Sequence, residues 1–383
     1  MIARVAFAAS CVALLACSSD DTAATDAGAD QDAGLAPPPA APQVQNQGGS
    51  IFASPRVVPI FFANDPAQSQ IEDFLKQLAA STYWSATTSE YGVGALAIAS
   101  SIVATDAAPA KLDTESIETW LAPYATGHGA NDVFAIFYPA STTLTDPRFG
   151  TSCADFNGFH DQGLADGSIV YAVLPRCPSA GALTGFDALS ASASHELVEA
   201  ATDPFVETQP AWSFTDIDHL IWSFLPGAEV ADMCDLEPSS FQRIVGPYVV
   251  QRSWSNASAR AGHDPCVPAL ANPYFNAAPN VTSPQQITFE SKVLTTEGLG
   301  IPLGESKTIA VRLFSDGPTA GWSVDAIDTE QPPSFTFAWD AQTGNDGDTL
   351  HLTITRTSKA SSEIAIESHA GTTTNYWFEY VTP

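Results

Sequence analysis

Ser194-His-Glu-Leu-Val-Glu-Ala-Ala-Thr-Asp-Pro204 is the stretch that decides how the rest of this chain reads. Alanine, leucine and glutamate favour helix, and a proline disfavours helical backbone at the residue before it, so the segment is a helix that ends at Pro204. His195 and Glu199 stand four residues apart and project from one helical face, a turn from each other. Glu196 lies beside His195, while Leu197, Val198 and the alanines can face a core. An imidazole and a carboxylate one turn on are ligands of the kind zinc accepts, and a catalytic zinc needs a third protein ligand with a fourth position open. The bland alternative is that Glu196 and Glu199 are solvated surface charges. The rest of the chain decides between them by offering, or not offering, a third ligand.

Residues 1–16 are short and apolar with one positive residue, Arg4, and read as a secretory signal too short to span a membrane. Leu14-Leu15-Ala16-Cys17 resembles a bacterial lipobox. That resemblance implies that Cys17 becomes the lipidated first residue of an anchored cell-envelope protein, on the periplasmic side or at the cell surface. An ordinary signal peptide cut near Ala16 is the alternative. Residues 17–49 are rich in Ala, Asp, Gly and Pro with almost no large apolar side chain. Such a segment cannot offset the entropy of ordering and reads as an acidic tether. Over the whole chain, 14 Lys and Arg face 43 Asp and Glu, a formal net charge of −29, which excludes nucleic acid and anionic lipid heads as electrostatic partners. Attachment to a membrane then falls to the lipid.

Six cysteines become four when Cys11 leaves with the signal and Cys17 takes the lipid. Cys153, Cys177, Cys234 and Cys266 form an even set in an exported chain and point to disulfides. Three pairings are possible; Cys153–Cys177 with Cys234–Cys266 closes the shorter loops. No Cys-x-x-Cys pair is present, which argues against a thiolate zinc cluster.

Residues 50–272 alternate strand-like and helix-like segments. Arg56–Phe62 is a compact apolar run before the turn Asn64-Asp65-Pro66, and Pro59 within it argues for an edge strand or a late start. Gln68–Ala80 carries Ile71, Phe74, Leu75 and Leu78 at helical spacing. Thr114–Tyr124 is a second helix with Thr114 as a candidate cap. Asp132–Pro139 and Ser168–Pro175 are strands apolar on both faces. With the 194–204 helix these give an α/β (α+β) domain with a mixed sheet, long enough to bury a sizeable core.

Downstream, Gly227-Ala-Glu-Val-Ala-Asp-Met-Cys234 places Glu229 and Asp232 three apart, on one face if the segment is helical. Glu229 is the candidate third ligand beside His195 and Glu199, and Asp232 the carboxylate that accepts the free N–H of His195 and fixes its tautomer. The exchange of those two roles is the alternative. His160 reads as a loop histidine with a local hydrogen bond, or else as a cleft residue that stabilises an oxyanion. His219 and His263 are minor ligand candidates, Asp203 a turn or cap before Pro204, and Trp212, Trp222 and Trp254 packing residues.

The His-Glu-x-x-Glu helix followed by a distant Glu resembles the zincin metalloproteases. The His195–Pro204 helix, Trp212 and the Glu-x-x-Asp-x-Cys segment Glu229–Cys234 together resemble the phosphate-induced, Exordium-like proteins and their bacterial relatives. Weaker matches lie at Tyr83-Trp84, Glu90–Gly94, Val133–Pro139, and Cys153 with His160, so the likeness covers roughly residues 50–270. It implies a zincin-like fold with a metal site. Glu199 stands where the protease pattern His-Glu-x-x-His has its second histidine. Zinc held by His195, Glu199 and Glu229 would lower the pKa of a water whose proton Glu196 takes, which makes a zinc-dependent peptidase the expected activity. Two carboxylates neutralise the ion and weaken it as a Lewis acid, and the oxygen-rich shell also suits Ca2+ or Mn2+. The other reading is a non-catalytic adhesion or binding protein on the same scaffold, with a peptide or cell-surface ligand.

Residues 283–383 change character. Gln286–Glu290, Lys307–Phe314, Trp322–Val324, Ser334–Trp339, Thr349–Thr355, Glu363–Glu367 and Tyr376–Val381 alternate apolar and polar residues between turns such as Asp316-Gly317-Pro318 and Asn345-Asp-Gly-Asp348. Seven short strands in this rhythm predict an all-β immunoglobulin-like sandwich without the antibody cysteines. Asp346 and Asp348 read as turn residues in preference to a calcium site.

Overall fold

The structure, a computed structural model, describes residues 40–383 apart from 128, 164–168, 225–227, 290–291, 331 and 360–361. The signal stretch, Cys17 and the tether up to residue 39 lie outside the described residues.

The first half is built on Arg56–Phe61 (β1), Gln68–Ala80 (α1), Asp132–Tyr138 (β2), Phe159–Gly163 (β3), Ile169–Pro175 (β4) and Phe186–Thr202 (α2). Strands β1, β2 and β4 run parallel in that order, and β3 pairs antiparallel with β4 at the edge, so the sheet is mixed. Almost every residue of these strands is buried, and successive side chains turn to opposite faces, as the two-residue period of a strand requires. Val57, Phe61, Val133, Ala135, Phe137, Val170, Ala172 and Leu174 face a core shared with α1 and α2. Val58, Ile60, Phe134, Ile136, Tyr171 and Val173 face a second core with Ile117 and Leu121. Both faces are covered, which is why the strands read as unbroken apolar runs.

Pro59 is not on an edge strand. β1 pairs with β2 on one side and with two short strands, Ala97–Ile98 and Ile102–Val103, on the other. The carbonyl of Val57 accepts from Ala99 N–H on that second side, and Pro59, two residues on, faces the gap between the two short strands. A residue with no N–H therefore sits where the neighbouring strand is interrupted. Thr114 is not the cap of its helix either. A 3-10 turn at Thr114–Ser116 leads into the helix Ile117–Ala125, and Asp113 caps the turn by accepting the N–H of Glu115 at 3.2 Å. The Thr114 hydroxyl instead donates to Asp146 at 2.6 Å.

Part of the stretch assigned to the tether is built into the fold. Gln45–Asn46 pairs with Trp212–Ser213, and Val44 is buried against Asn256, whose side chain bonds both its N–H and its carbonyl.

Phe241–Val245 (β5) and Tyr248–Gln251 (β6) form a hairpin that packs on α2. Disulfides join Cys153 to Cys177 and Cys234 to Cys266, the short-loop pairing. No described helix is long and apolar enough to cross a membrane. Disulfides fit an exported chain.

The second half contains two sheets. Phe275–Pro279 (β7), Ser306–Ser315 (β8), Trp322–Asp328 (β9), Phe335–Trp339 (β10), Thr349–Arg356 (β11), Glu363–Ala370 (β12) and Thr373–Thr382 (β13) are its long strands. The orders are β7-β8-β11-β10 and β13-β12-β9, all antiparallel, with short strands added at the two edges of the second sheet. Val311, Leu313, Leu352 and Ile354 of one sheet share a core with Val324, Ile364, Ile366 and Phe378 of the other. Six of the seven predicted strands lie in these sheets. Gln286–Glu290 does not: Pro284–Phe289 pairs only with Lys292–Glu297 as a separate hairpin. Its place is taken by β7, Phe-Asn-Ala-Ala-Pro, which has too little apolar alternation to announce itself and is held by register with β8.

The halves share a junction. Trp222 packs edge-on against Trp254, Trp377 and Phe378, with ring centroids 4.8–5.9 Å apart. Trp222 and Trp254 are buried, as the packing reading has it, and Trp212 packs on Tyr91. Near this junction Glu379 is buried with one bond from Trp377 Nε1–H at 3.3 Å, and burial pushes its carboxyl up to about 8. A carboxyl with a raised folded pKa holds its proton in the folded state and loses it in the unfolded state, so stability falls as pH rises from the unfolded value toward 8. Denaturant titrations should show a loss on the order of 2–4 kcal/mol between pH 5 and pH 8 from this group. Glu379→Gln should flatten that slope and match the parent near pH 5. An unchanged slope in the variant would show that Glu379 is not its source.

Candidate metal centre

The site forms where α2 crosses the edge strand β3 and meets the turn at 228–234. Small residues on α2, among them Ala188, Ser190, Ala191, Ala193 and Ser194, are buried and allow close approach to its neighbours. Ser190 Oγ donates to Val249 O at 2.7 Å, and Ser194 Oγ accepts Gln251 N–H at 3.0 Å, which pins α2 to β6. His195, Glu196 and Glu199 then point toward β3 and the turn.

His195 Nε2 lies 3.0 Å from Glu199 Oε2 and 3.4 Å from Asp232 Oδ1. Its other nitrogen, Nδ1, donates to Gln251 Oε1 at 3.1 Å, and Gln251 Nε2 donates in turn to Ala231 O at 2.8 Å. A neutral imidazole held this way keeps its Nε2 lone pair for a ligand. The orienting partner of His195 is thus Gln251, and Asp232 shares the Nε2 side with Glu199. Gln251 carried no signal in the sequence, since it reaches the site only through the β5–β6 hairpin.

The segment 228–234 is not a regular helix. It is a turn followed by one 3-10 turn, Asp232–Cys234. Glu229 lies before that turn on non-helical backbone, so the two carboxylates part, Asp232 beside His195 and Glu229 toward His160. His160 is not in a loop but on β3, opposite Ala172 of β4. Its Nε2 is 3.6 Å from Glu229 Oε1 and donates to Asp203 O at 3.2 Å. Its Nδ1 is 3.7 Å from Glu196 Oε2 and 3.9 Å from Glu199 Oε2. Two triads therefore exist, His195–Glu199–Asp232 and His160–Glu199–Glu229, each with one ligand atom per residue within 4.8 Å of the others. The sequence set of His195, Glu199 and Glu229 is divided between them. His219 and His263 stand elsewhere, paired with Asp216 and Asp316. Asp346 accepts Ser315 N–H and Asp348 accepts Asn345 N–H, as turn residues.

The carboxylates are prepared in a common way. Glu199 Oε1 accepts the N–H groups of Ala231 and Asp232 at 3.2 and 3.0 Å, which leaves Oε2 facing the imidazoles. Asp232 Oδ2 accepts from Ala228 and Glu229 N–H at 3.1 and 3.2 Å, which leaves Oδ1 facing His195. Asp203 Oδ1 accepts Ala211 N–H at 2.7 Å, the turn role expected of it. Glu229 Oε1 is buried and has no hydrogen-bond donor.

The electrostatics are those of a site short of positive charge. Burial drives Glu229 well above the usual carboxylate range, with the Glu199, Asp203 and Asp232 charges adding to it against His160. Burial and Glu199 push Asp232 up to about 7, and burial lifts Asp203 to about 6. Burial opposes ionisation of Glu199 too, but the charge and hydrogen bond of His195 outweigh it and the group falls below its usual value. Burial disfavours the charged form of both imidazoles, yet the surrounding carboxylates raise them well above the ordinary histidine value. A divalent cation meets the demand of this donor set, and the buried Glu229 oxygen without a donor fits one directly.

Access is narrow. The side chains of His160, His195, Glu196, Glu199, Glu229 and Asp232 are each at most 14 % exposed. β3 is buried along its length; Thr208 Oγ1 donates to Gln162 at 3.0 Å, and Arg148 bridges Asp146, Asp161 and Glu207 beside it. Gly158 presses on Glu196: a Cβ there would lie 2.8 Å from Oε1 and 3.0 Å from Cγ. Gly158→Val should displace Glu196 and perturb the His160 triad, read as weakened cation binding with little change at Gly158→Ala only if the Glu196 end swings aside.

No family model matches this sequence and no curated protein matches it. Among solved structures, domains 4 and 5 of the S-layer protein SbsC align over 27 % of this chain and 54 % of that one, at 15 % identity and a TM-score of 0.18. The twitchin kinase region from C. elegans aligns over 29 % of this chain and 16 % of that one, at 15 % identity and a TM-score of 0.18. Titin M4 aligns over 27 % and 94 %, at 11 % identity and a TM-score of 0.16. The chain spans about half of the SbsC fragment it matches.

Proposed function

We propose that this chain is an exported, lipid-anchored bacterial metalloprotein whose first domain is zincin-like and whose second is an immunoglobulin-like sandwich, and that its centre supports metal-dependent hydrolysis of a peptide bond. The observation that carries this reading is the paired treatment of Glu199 and Asp232: backbone amides tie one oxygen of each, and the other faces the Nε2 of an imidazole oriented by Gln251. Separations of 3.0 and 3.4 Å between donor atoms match the spacing of about 3.3 Å around a tetrahedral zinc with bonds near 2.0–2.1 Å. His195, Glu199 and Asp232 would hold the ion, which replaces Glu229 by Asp232 in the set read from sequence.

When bound, such a cation supplies Lewis acidity to a water and to a substrate carbonyl. Glu196, the one site carboxylate on α2 outside the His195 triad, is the group to accept and return a proton. Gln251 fixes the tautomer of His195, and the cover over β3 excludes bulk water. The lipid on Cys17 would hold the chain at the cell envelope, with peptide as the partner and no nucleic acid.

A second reading, a non-catalytic adhesion or binding protein that keeps a metal for structure, draws on the closure of the site. An extended peptide needs an open strand edge, and β3 is covered. Elemental mass spectrometry on the purified chain, beside His195→Ala and Glu196→Gln, tests both. Bound zinc that is lost in the first variant and kept in the second, with peptide-library cleavage lost in both, supports the hydrolase. Metal without cleavage favours the second reading, and no metal after reconstitution with zinc removes both forms of the centre.

A further inference from the structure

The centre has more ligands than one ion uses. Besides His195, Glu199 and Asp232, it holds His160, Glu229, Glu196 and Asp203, all buried or nearly so. Its two imidazoles fall in different triads, and the residue common to both is Glu199. Five carboxyl groups, those of Glu196, Glu199, Asp203, Glu229 and Asp232, gather around two imidazoles, and a buried carboxyl oxygen without a partner is unfavourable.

We propose that His160, Glu199 and Glu229 form a second cation position, bridged to the first through the Glu199 carboxylate. This deepens the metal-centre reading and rests on it. Two observations point to a ligand here and not to packing alone. Glu229 Oε1 is buried without a hydrogen-bond donor, 3.6 Å from His160 Nε2. His160 itself is 3 % exposed and held on a strand, with Nδ1 facing Glu196 Oε2 at 3.7 Å to orient it, which leaves Nε2, 3.6 Å from Glu229 Oε1, to take a cation in exchange for its bond to Asp203 O. An imidazole oriented by a carbonyl or carboxylate is the usual arrangement around a metal-binding histidine. The separation of 3.6 Å between His160 Nε2 and Glu229 Oε1 is wider than the 3.0 and 3.4 Å of the first triad. Oxygen-rich ligands at that spacing suit a larger, harder cation such as Mn2+ or Ca2+. Glu196 then has a task in the ground state, as the carboxylate that orients His160.

The test is the stoichiometry of Mn2+. The purified full chain, stripped with chelator, is dialysed to equilibrium against Mn2+, and bound metal is counted by elemental analysis and examined by electron paramagnetic resonance. Two ions per chain with an exchange-coupled spectrum are expected. His160→Ala and Glu229→Gln should each bind one, with the uncoupled spectrum of an isolated ion; the near-isosteric Gln guards against loss through misfolding. One ion in the parent, kept in His160→Ala and lost in His195→Ala, overturns the second position and leaves the first standing. Two uncoupled ions in the parent, or an undiminished count in both His160→Ala and Glu229→Gln, also overturn it. No ion at all in the parent sinks both positions together.

Discussion

Glu199→Ala is expected to cost on the order of 3–5 kcal/mol of folding stability, and to abolish binding at both proposed cation positions at once. The side chain is 3 % exposed, so its removal is not made good by solvent. Its Oε1 is the acceptor for the N–H groups of Ala231 and Asp232, and those two donors would be stranded in a buried turn. Its Oε2 lies 3.0 Å from His195 Nε2 and 3.9 Å from His160 Nδ1, which makes it the oxygen between the two imidazoles. Denaturant unfolding with and without chelator separates the contributions. The part due to the stranded amides persists in chelator, and the part due to cation binding does not. Glu199→Gln keeps an oxygen for the amides but lacks the charge, so it should recover most of the chelator-independent stability while binding no metal. If Glu199→Ala unfolds like the parent in chelator, the carboxylate is not what joins the turn to α2.

The helix at the centre of the site was legible because its evidence is local: helix formers, a proline stop, and a 3.6-residue period that fixes which side chains share a face. The buried strands were legible for the same reason, since β1, β2 and β4 are apolar on both faces. The disulfide partners followed from loop length. What was not legible is set by long-range geometry. Gln251 reaches His195 only because the β5–β6 hairpin packs on α2. His160 reaches Glu229 because β3 joins the sheet as an antiparallel edge strand, a placement nothing in Phe-His-Asp-Gln-Gly announces. The roles of Glu229 and Asp232 depend on whether the segment between them is helical; the 3-10 turn begins only at Asp232, and the non-helical backbone before it lets the two carboxylates face different histidines. β7 and the 284–289 hairpin carry too little signal of their own to be placed, because short, weakly alternating strands take their identity from register with a neighbour.

Arg252→Leu is expected to destabilise the chain by about 3–5 kcal/mol near pH 8, and by less near pH 5. Arg252 is among the largest fully buried side chains, at 1 % exposure. Its guanidinium pairs with Asp264 at 2.5 Å, donates to the carbonyl of Cys266, and bonds the Ser239 carbonyl and hydroxyl at 3.2 and 3.1 Å. It therefore ties the chain just after β6 to the Cys234–Cys266 staple and to the turn before β5. Burial already pushes Asp264 above its usual value, and Arg252 is the charge that opposes this. Without Arg252 the carboxyl should rise further and stay protonated when folded. A raised folded pKa contributes stability at low pH that is lost as pH rises toward it, so the deficit grows with pH. Adding Asp264→Asn to Arg252→Leu removes the titrating group and should restore part of the loss at pH 8 but little at pH 5. A double variant as unstable as the single one at every pH would mean that the guanidinium acts through its bonds to Ser239 and Cys266, and that the ion pair itself contributes nothing.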